Sequence, residues 1–236
     1  MQIAESFISR ILYEDNHIIV INKLPSEIVQ GDKTGDMPLS DLVKAYIAQK
    51  YGKPGNVFLG VVHRIDRPVS GAVIFARTSK ALIRLNAMLQ KRELDKRYWA
   101  VVKNAPPQKE GTLVSHLLKN EKQNKSYPVK EESPNSKRAE LKYTLLAESR
   151  DYNLLEVELI TGRHHQVRAQ LADMGCPIKG DLKYGFDRSN PDASIHLHAR
   201  FLRFNHPVKQ DHISITAPVP DDKLWKFFEQ ETEQQA

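Results

Sequence analysis

The sequence predicts an α+β protein built on a mixed, mostly antiparallel central sheet with flanking helices and loops. Two observations carry this. Runs rich in β-branched residues outnumber helical patterns, and several are joined by turns too short for the crossover that parallel strands require. Neither common glycine-rich phosphate loop is present, which argues against an ATPase or a dinucleotide enzyme.

Taken in order, Ile18 to Ile21 is an unbroken β-branched run and predicts a buried strand. Leu39, Leu42, Val43, Tyr46 and Ile47 follow helical spacing, so a helix is expected there. Gly71 to Ala76 predicts a strand, and Thr78 or Ser79 can cap a following helix with Leu82, Leu85 and Leu89 on one face. Tyr98 to Val102 predicts another strand. Residues 103–138 scatter Lys119, Lys122, Lys125, Lys130, Lys137 and Arg138 among Asn, Gln, Ser and Pro, which predicts a weakly structured polar loop. Leu141 to Glu148 and Leu154 to Ile160 predict a hairpin that turns near Asp151. A helix is expected from about His164 to Met174, stopping at Gly175. Strands follow near Leu197 to Phe204 and His212 to Thr216. Leu224, Trp225, Phe227 and Phe228 form one broad apolar stripe, which predicts a short packed terminal helix.

The 236 residues suit a single domain with a substantial core, here placed at about 8–220 with an acidic tail at 221–236. The formal net charge is +6. The tail carries −3 (Asp221, Asp222, Glu229, Glu231 and Glu233 against Lys223 and Lys226), which leaves a body of +9. Such a body attracts polyanions, and nucleic acid is the commonest of these. The single cysteine, Cys176, excludes an intramolecular disulfide and predicts a small buried side chain. Met1 to Ile11 does not look like a signal peptide, and no apolar run approaches the ~20 residues of a membrane helix. A cytoplasmic monomer is expected.

Four segments carry residues suited to chemistry. His63-Arg64-Ile65-Asp66-Arg67-Pro68-Val69-Ser70-Gly71 turns just ahead of a strand. An Asp at such a turn is commonly a backbone cap, but two flanking arginines favour the ionised carboxylate that a nucleophile needs. Tyr98 lies in Lys96-Arg97-Tyr98-Trp99, where an ordinary strand aromatic is the plain reading. Thr161 to Arg168 contains adjacent His164 and His165, which point in different directions on a helix and lack the HExxH pattern, so no metal is expected. His196 and His198 share a strand face.

In this order and spacing the segments resemble the RluA-type pseudouridine synthases. The family signature, close to His-Arg-Leu-Asp-x-x-Thr-Ser-Gly, appears as residues 63–71 with Ile65 and Val69 substituted. Its Lys-x-Tyr-x-Ala-x-Val strand appears as Lys96, Tyr98, Ala100 and Val102. Its Gly-Arg-x-His-Gln-Ile-Arg segment appears as residues 162–168, followed by Pro-Ile-Lys-Gly-Asp-Leu-Lys-Tyr-Gly at 177–185. Leu197-His198-Ala199 and Asn205-His206-Pro207 complete the series. The usual Lys-Pro-x-Gly appears as Lys23-Leu24-Pro25-Ser26, which leaves the path of that loop open. Many relatives carry an N-terminal S4-type domain, for which this chain has no room, so RNA affinity is expected from the catalytic domain.

The resemblance implies an RNA pseudouridine synthase that isomerises specific uridines of ribosomal or transfer RNA without cofactor, metal or nucleotide. It implies Asp66 as nucleophile, Arg168 as its charged partner and Tyr98 as the residue stacking on the target base. His63, Arg64, Arg67, Arg163, His165 and Leu197 are the expected RNA-binding residues. A stacked uridine must be flipped out to reach such a pocket, at a cost of a few kcal/mol. Two other classes stay open: a non-catalytic RNA-binding protein of the same fold, and a hydrolase using the histidines or Asp66.

Overall fold

A computed structural model describes residues 3–129 and 132–234. The chain divides into two compact units, Met1–Asp95 with Ala199–Pro218, and Lys96–His198 with Val219–Ala236. Strands, paired mostly antiparallel, form the frame of each.

In the first unit, α1 (Glu5–Ile8) leads into β1 (Ile11–Glu14) and β2 (Ile18–Lys23), followed by α2 (Leu39–Tyr51), β3 (Gly60–Val61), β4 (Ser70–Ala76) and α3 (Ser79–Lys91). The chain returns to this unit at Ala199, within β10 (Leu197–Asn205), and continues with β11 (His212–Thr216). β2 pairs antiparallel with β1 and β4, with Ile18 opposite Ala76 and Lys23 opposite Gly71. β11 pairs antiparallel with β10, which neighbours β4. Ile18, Val20, Ala72 and Ile74 pack on one face with Ala81 and Leu85 of α3 and with Leu202 and Phe204. Ile19, Ile21, Val73 and Phe75, pointing the other way, are also fully buried. Both faces of these strands are covered, which is why β2 reads as an unbroken apolar run and not as an alternation. Thr78 caps α3 by accepting from the Ala81 N–H at 3.2 Å.

Gly71 sits at φ +116°, and a Cβ there would lie 2.4 Å from the Ala199 carbonyl oxygen of β10. Only glycine permits both the dihedral and the close strand approach. The last residue of the nucleophile segment is therefore fixed by packing, whatever its neighbours do chemically.

The second unit holds β5 (Asp95–Val102), β6 (Glu110–Asn120), β7 (Lys125–Val129), β8 (Lys137–Glu148), β9 (Asn153–Leu159), α4 (Gln166–Asp173), a 3₁₀ turn (Leu182–Tyr184) and α5 (Lys223–Gln234). The strand order β5-β9-β8-β6-β7 is antiparallel throughout. The expected loop at 103–138 is instead mostly the β6–β7 hairpin and the start of β8, with Lys119 opposite Ser126. Leu117 and Ser126 are buried while their neighbours stay at least partly exposed, so one row of anchors under a lysine-rich surface holds the hairpin. Lys130 lies outside the described residues.

α4 is shorter at its start than the helix expected from His164. His165 adopts a left-handed conformation at φ +54°, which an α-helix cannot include. The helix ends as expected at Gly175, where the Cys176 N–H returns to the Leu171 carbonyl at 2.9 Å. Cys176 is buried. The segment expected to be an acidic tail is α5, and it buries Trp225 and Phe228. Asp222 caps α5 by accepting from the Leu224 and Trp225 N–H groups. Its carboxylate also meets His196 Nε2 at 3.1 Å, and the His196 ring stacks on Trp225.

Candidate active site

The first unit carries Asp66 in the turn before β4. The turn is closed by the Val69 N–H, which donates to the Asp66 carbonyl at 3.0 Å. Ile65 and Val69 are buried on either side, so Asp66 is held half-buried by apolar anchors while Arg64 projects into solvent. His63 turns inward, and its Nε2 accepts from the Ile74 N–H at 3.2 Å.

Two cations bolt this turn down. Arg67 donates to Asp36 at 2.7 Å and to Thr34 Oγ1 at 2.9 Å, tying the 32–36 loop beside Asp66. Lys23 is fully buried and donates to the carbonyls of Leu24, Glu27 and Arg67 at 2.8, 2.8 and 3.1 Å. Three protons thus meet three carbonyl oxygens, and the loop after β2 is joined to the residue that follows Asp66. Burial lowers the Lys23 pKa to about 7, against the pull of the Glu27 and Asp66 carboxylates. Ser26, where the family has glycine, sits at φ +70° and donates its N–H to the Arg67 carbonyl, which settles the loop path left open by the sequence.

Lys23→Met should cost about 2 kcal/mol, because the carbonyls lose their donors and the gain from removing a buried charge only partly offsets this. The loss should also depend on pH. With a folded-state pKa near 7 and an unfolded one near 10.5, the unfolded chain binds more protons across that window. Wild-type stability therefore rises with pH from about 7 to 10.5, the variant lacks that rise, and the gap widens. Urea midpoints at pH 7 and pH 9.5 check this, and a constant gap would contradict it.

The second unit carries Tyr98, Arg168, Arg163, His165 and Leu197. Tyr98 lies on β5 opposite Val157 and is mostly buried. Arg168 points from α4 to Asp181, with Nε and Nη2 donating to the two carboxylate oxygens at 2.7 and 2.8 Å. Both side chains are almost wholly buried. This bidentate pair fixes the guanidinium plane. Asp181 lies in the 177–185 segment, where nothing in its immediate sequence marks it as the partner of Arg168. The only hint was an acid following Gly180, and its partner lies 13 residues earlier.

Tyr184 of the same segment closes the second layer. Its hydroxyl bridges the Ser126 backbone and His165 Nδ1, and the Arg168 guanidinium lies 5.1 Å from its ring centroid. His164 and His165 stack at 3.8 Å, and His164 bonds Ser126 Oγ and Asn124 Oδ1. The histidine pair is thus part of a hydrogen-bonded wall. Among the described residues no group of three His, Cys, Asp or Glu side chains is placed to hold a metal. Arg163 is exposed and donates Nε to the Arg138 carbonyl. Leu197 is buried.

Residues 17–173 match the family model for RNA pseudouridylate synthase. The chain belongs to the RNA pseudouridylate synthase family. It is 31% identical over 223 residues to a protein of Bacillus subtilis (strain 168) named as an uncharacterized RNA pseudouridine synthase, covering 93% of this chain and 72% of that one. It is 35% identical over 225 residues to the ribosomal large subunit pseudouridine synthase D of Xylella fastidiosa, covering 90% of this chain and 66% of that one. The fold matches human RNA pseudouridylate synthase domain containing 4 with a TM-score of 0.78 at 22% identity, covering 97% and 95% of the two chains. By membership the protein is an RNA-modifying isomerase, and the mostly antiparallel α+β frame is that of the family. No helix among the described residues is long and apolar enough to cross a membrane.

Proposed function

We propose that this protein isomerises one or a few uridines of ribosomal RNA to pseudouridine, with Asp66 as nucleophile. The observation that carries the assignment is the turn at Asp66. A carboxylate is held half-buried by Ile65 and Val69, and the loop around it is pinned through Lys23 and Arg67. That is the rigid presentation a nucleophile needs and a mere turn cap does not.

The remaining roles divide by unit. Arg168, its plane set by Asp181, takes the role of the charged partner that the family resemblance implies. Tyr98 stacks on the flipped uracil, and Leu197 adds an apolar wall. Arg64 and Arg163, both exposed, contact the RNA backbone, while Arg67, His63 and His165 shape the walls through the bonds described. Breaking the glycosidic bond from ribose C1′ to N1 and remaking it to C5 is neither hydrolysis nor redox, so no cofactor is assigned.

Relatives named as acting on the large ribosomal subunit favour ribosomal over transfer RNA. Pseudouridine mapping in RNA from cells with and without the gene tests this. Loss of a site in large-subunit RNA is expected, and an unchanged map in all ribosomal RNA would overturn the substrate. Activity should also survive dialysis against EDTA with RNA folding maintained by monovalent salt. The reaction calls for no Lewis acid, and both His164 ring nitrogens and His165 Nδ1 are already hydrogen-bonded. Loss of turnover restored by Zn²⁺ or Mg²⁺ would contradict this.

A further inference from the structure

The second unit contains a lysine that differs from Lys23 in one respect. Lys96 lies on β5, two residues before Tyr98 and on the same strand face. Its side chain is partly buried, and burial lowers its pKa with no carboxylate acting to restore it. No acid or carbonyl accepts from it among the described residues. Its neighbour Arg97, on the opposite face, is paired with Glu156 at 2.8 Å across the ladder. Lys23, fully buried, has three carbonyl acceptors. A desolvated ammonium without acceptors is costly unless something else supplies them.

Gly162 shows where that supply can enter. An added Cβ there would lie 3.7 Å from Lys96 Nζ, and Gly162 itself is exposed. Any larger side chain would grow over the ammonium, whereas glycine leaves it open to solvent from that side. The next residue, Arg163, is also exposed and uses only Nε within the protein, on the Arg138 carbonyl. Two cationic groups thus flank one glycine, close in sequence to Arg168 and on the same strand face as Tyr98. A compact anion carrying several acceptor oxygens fits this place.

We infer that the Lys96 ammonium, open beside Gly162, binds a backbone phosphate of the substrate RNA. The site rests on RNA being the substrate. An ammonium is a point charge with three donors, so it accepts phosphate without demanding a fixed fork. The contact anchors the strand near the nucleotide that Tyr98 stacks on, and desolvation raises its strength over that of a surface lysine.

The test uses the full chain and a fluorescein-labelled nine-nucleotide oligouridine, with anisotropy measured across KCl concentrations. Lys96→Met should bind about tenfold more weakly at low salt, the loss expected for one charge-assisted contact. Its slope of log affinity against log salt should fall by about 0.7, the release due to one single-strand phosphate contact. Lys96→Arg should keep the slope. The thermal midpoint of Lys96→Met should match or exceed wild type, because a partly buried charge without a protein acceptor among the described residues has been removed. Unchanged affinity and slope in a folded Lys96→Met would overturn the site while leaving the RNA assignment intact. A wild type that fails to bind the oligouridine at any salt would instead overturn the RNA assignment and the site with it. If Lys96→Arg kept the slope and KM but lost turnover, the lysine would act on the reacting atoms, and the phosphate site would be wrong.

Discussion

Asp66→Asn is expected to leave less than about 10⁻⁴ of wild-type turnover, the scale seen when a nucleophile is removed and binding is kept. The substitution preserves shape and removes charge. The turn it occupies is closed by the Val69 N–H on the Asp66 carbonyl, and Ile65 and Val69 hold it from either side. Lys23 and Arg67 fix its surroundings through the Arg67 carbonyl and the 32–36 loop. Thermal midpoint and oligouridine affinity should therefore stay close to wild type while tritium release from C5-labelled RNA disappears. Wild-type-like release would sink the assignment of Asp66, and collapse of the fold would show that the carboxylate is a structural cap. The two readings left open by the sequence are separated by the same assay. A non-catalytic RNA binder releases no tritium in the wild type, and a glycosidase releases free uracil.

What was legible in the sequence follows from how far each signal depends on distant packing. β2 could be read because both of its faces are buried, so four β-branched residues in a row had no other use. α3 could be read from its cap and α4 from its stop at Gly175, since these are local devices. The β6–β7 hairpin could not. Most of its residues face water, few are buried, and its lysines look the same on a strand as on a loop. The start of α4 was missed because the left-handed His165 carries no sequence mark; glycine or asparagine would have signalled it.

The site divides along the same line. Asp66, Tyr98 and Arg168 were singled out because a motif resemblance named them. Lys23, Lys96 and Asp181 were not singled out as site residues, although the motifs quoted contain all three. Their importance lies in what they touch. Lys23 has three carbonyl acceptors, Lys96 has none among the described residues, and Asp181 has a guanidinium. In a chain with 35 basic and 29 acidic residues, neither composition nor spacing separates these from solvated charges.

Asp181→Asn tests how much of Arg168's role is set by its support. The pair is buried on both sides and doubly hydrogen-bonded, so an amide in place of the carboxylate removes one of two acceptor oxygens and the Asp181 charge from a buried guanidinium. Breaking a buried pair from one side costs roughly 3–5 kcal/mol. At about 2–4 °C per kcal/mol for a chain of this size, the thermal midpoint should fall by roughly 6–20 °C. Activity should fall further than unfolding explains. In single turnover at a temperature where the variant is fully folded, the rate should drop about 10²-fold with little change in RNA affinity, the penalty expected when a catalytic group is held loosely. Asp181→Glu separates position from charge. It keeps the charge but sets the carboxylate one methylene further out, so it should recover much of the stability and less of the rate. A variant that loses stability yet turns over at the wild-type rate when folded would show that Asp181 only packs α4 against the 177–185 segment, and that Arg168 finds its orientation from elsewhere.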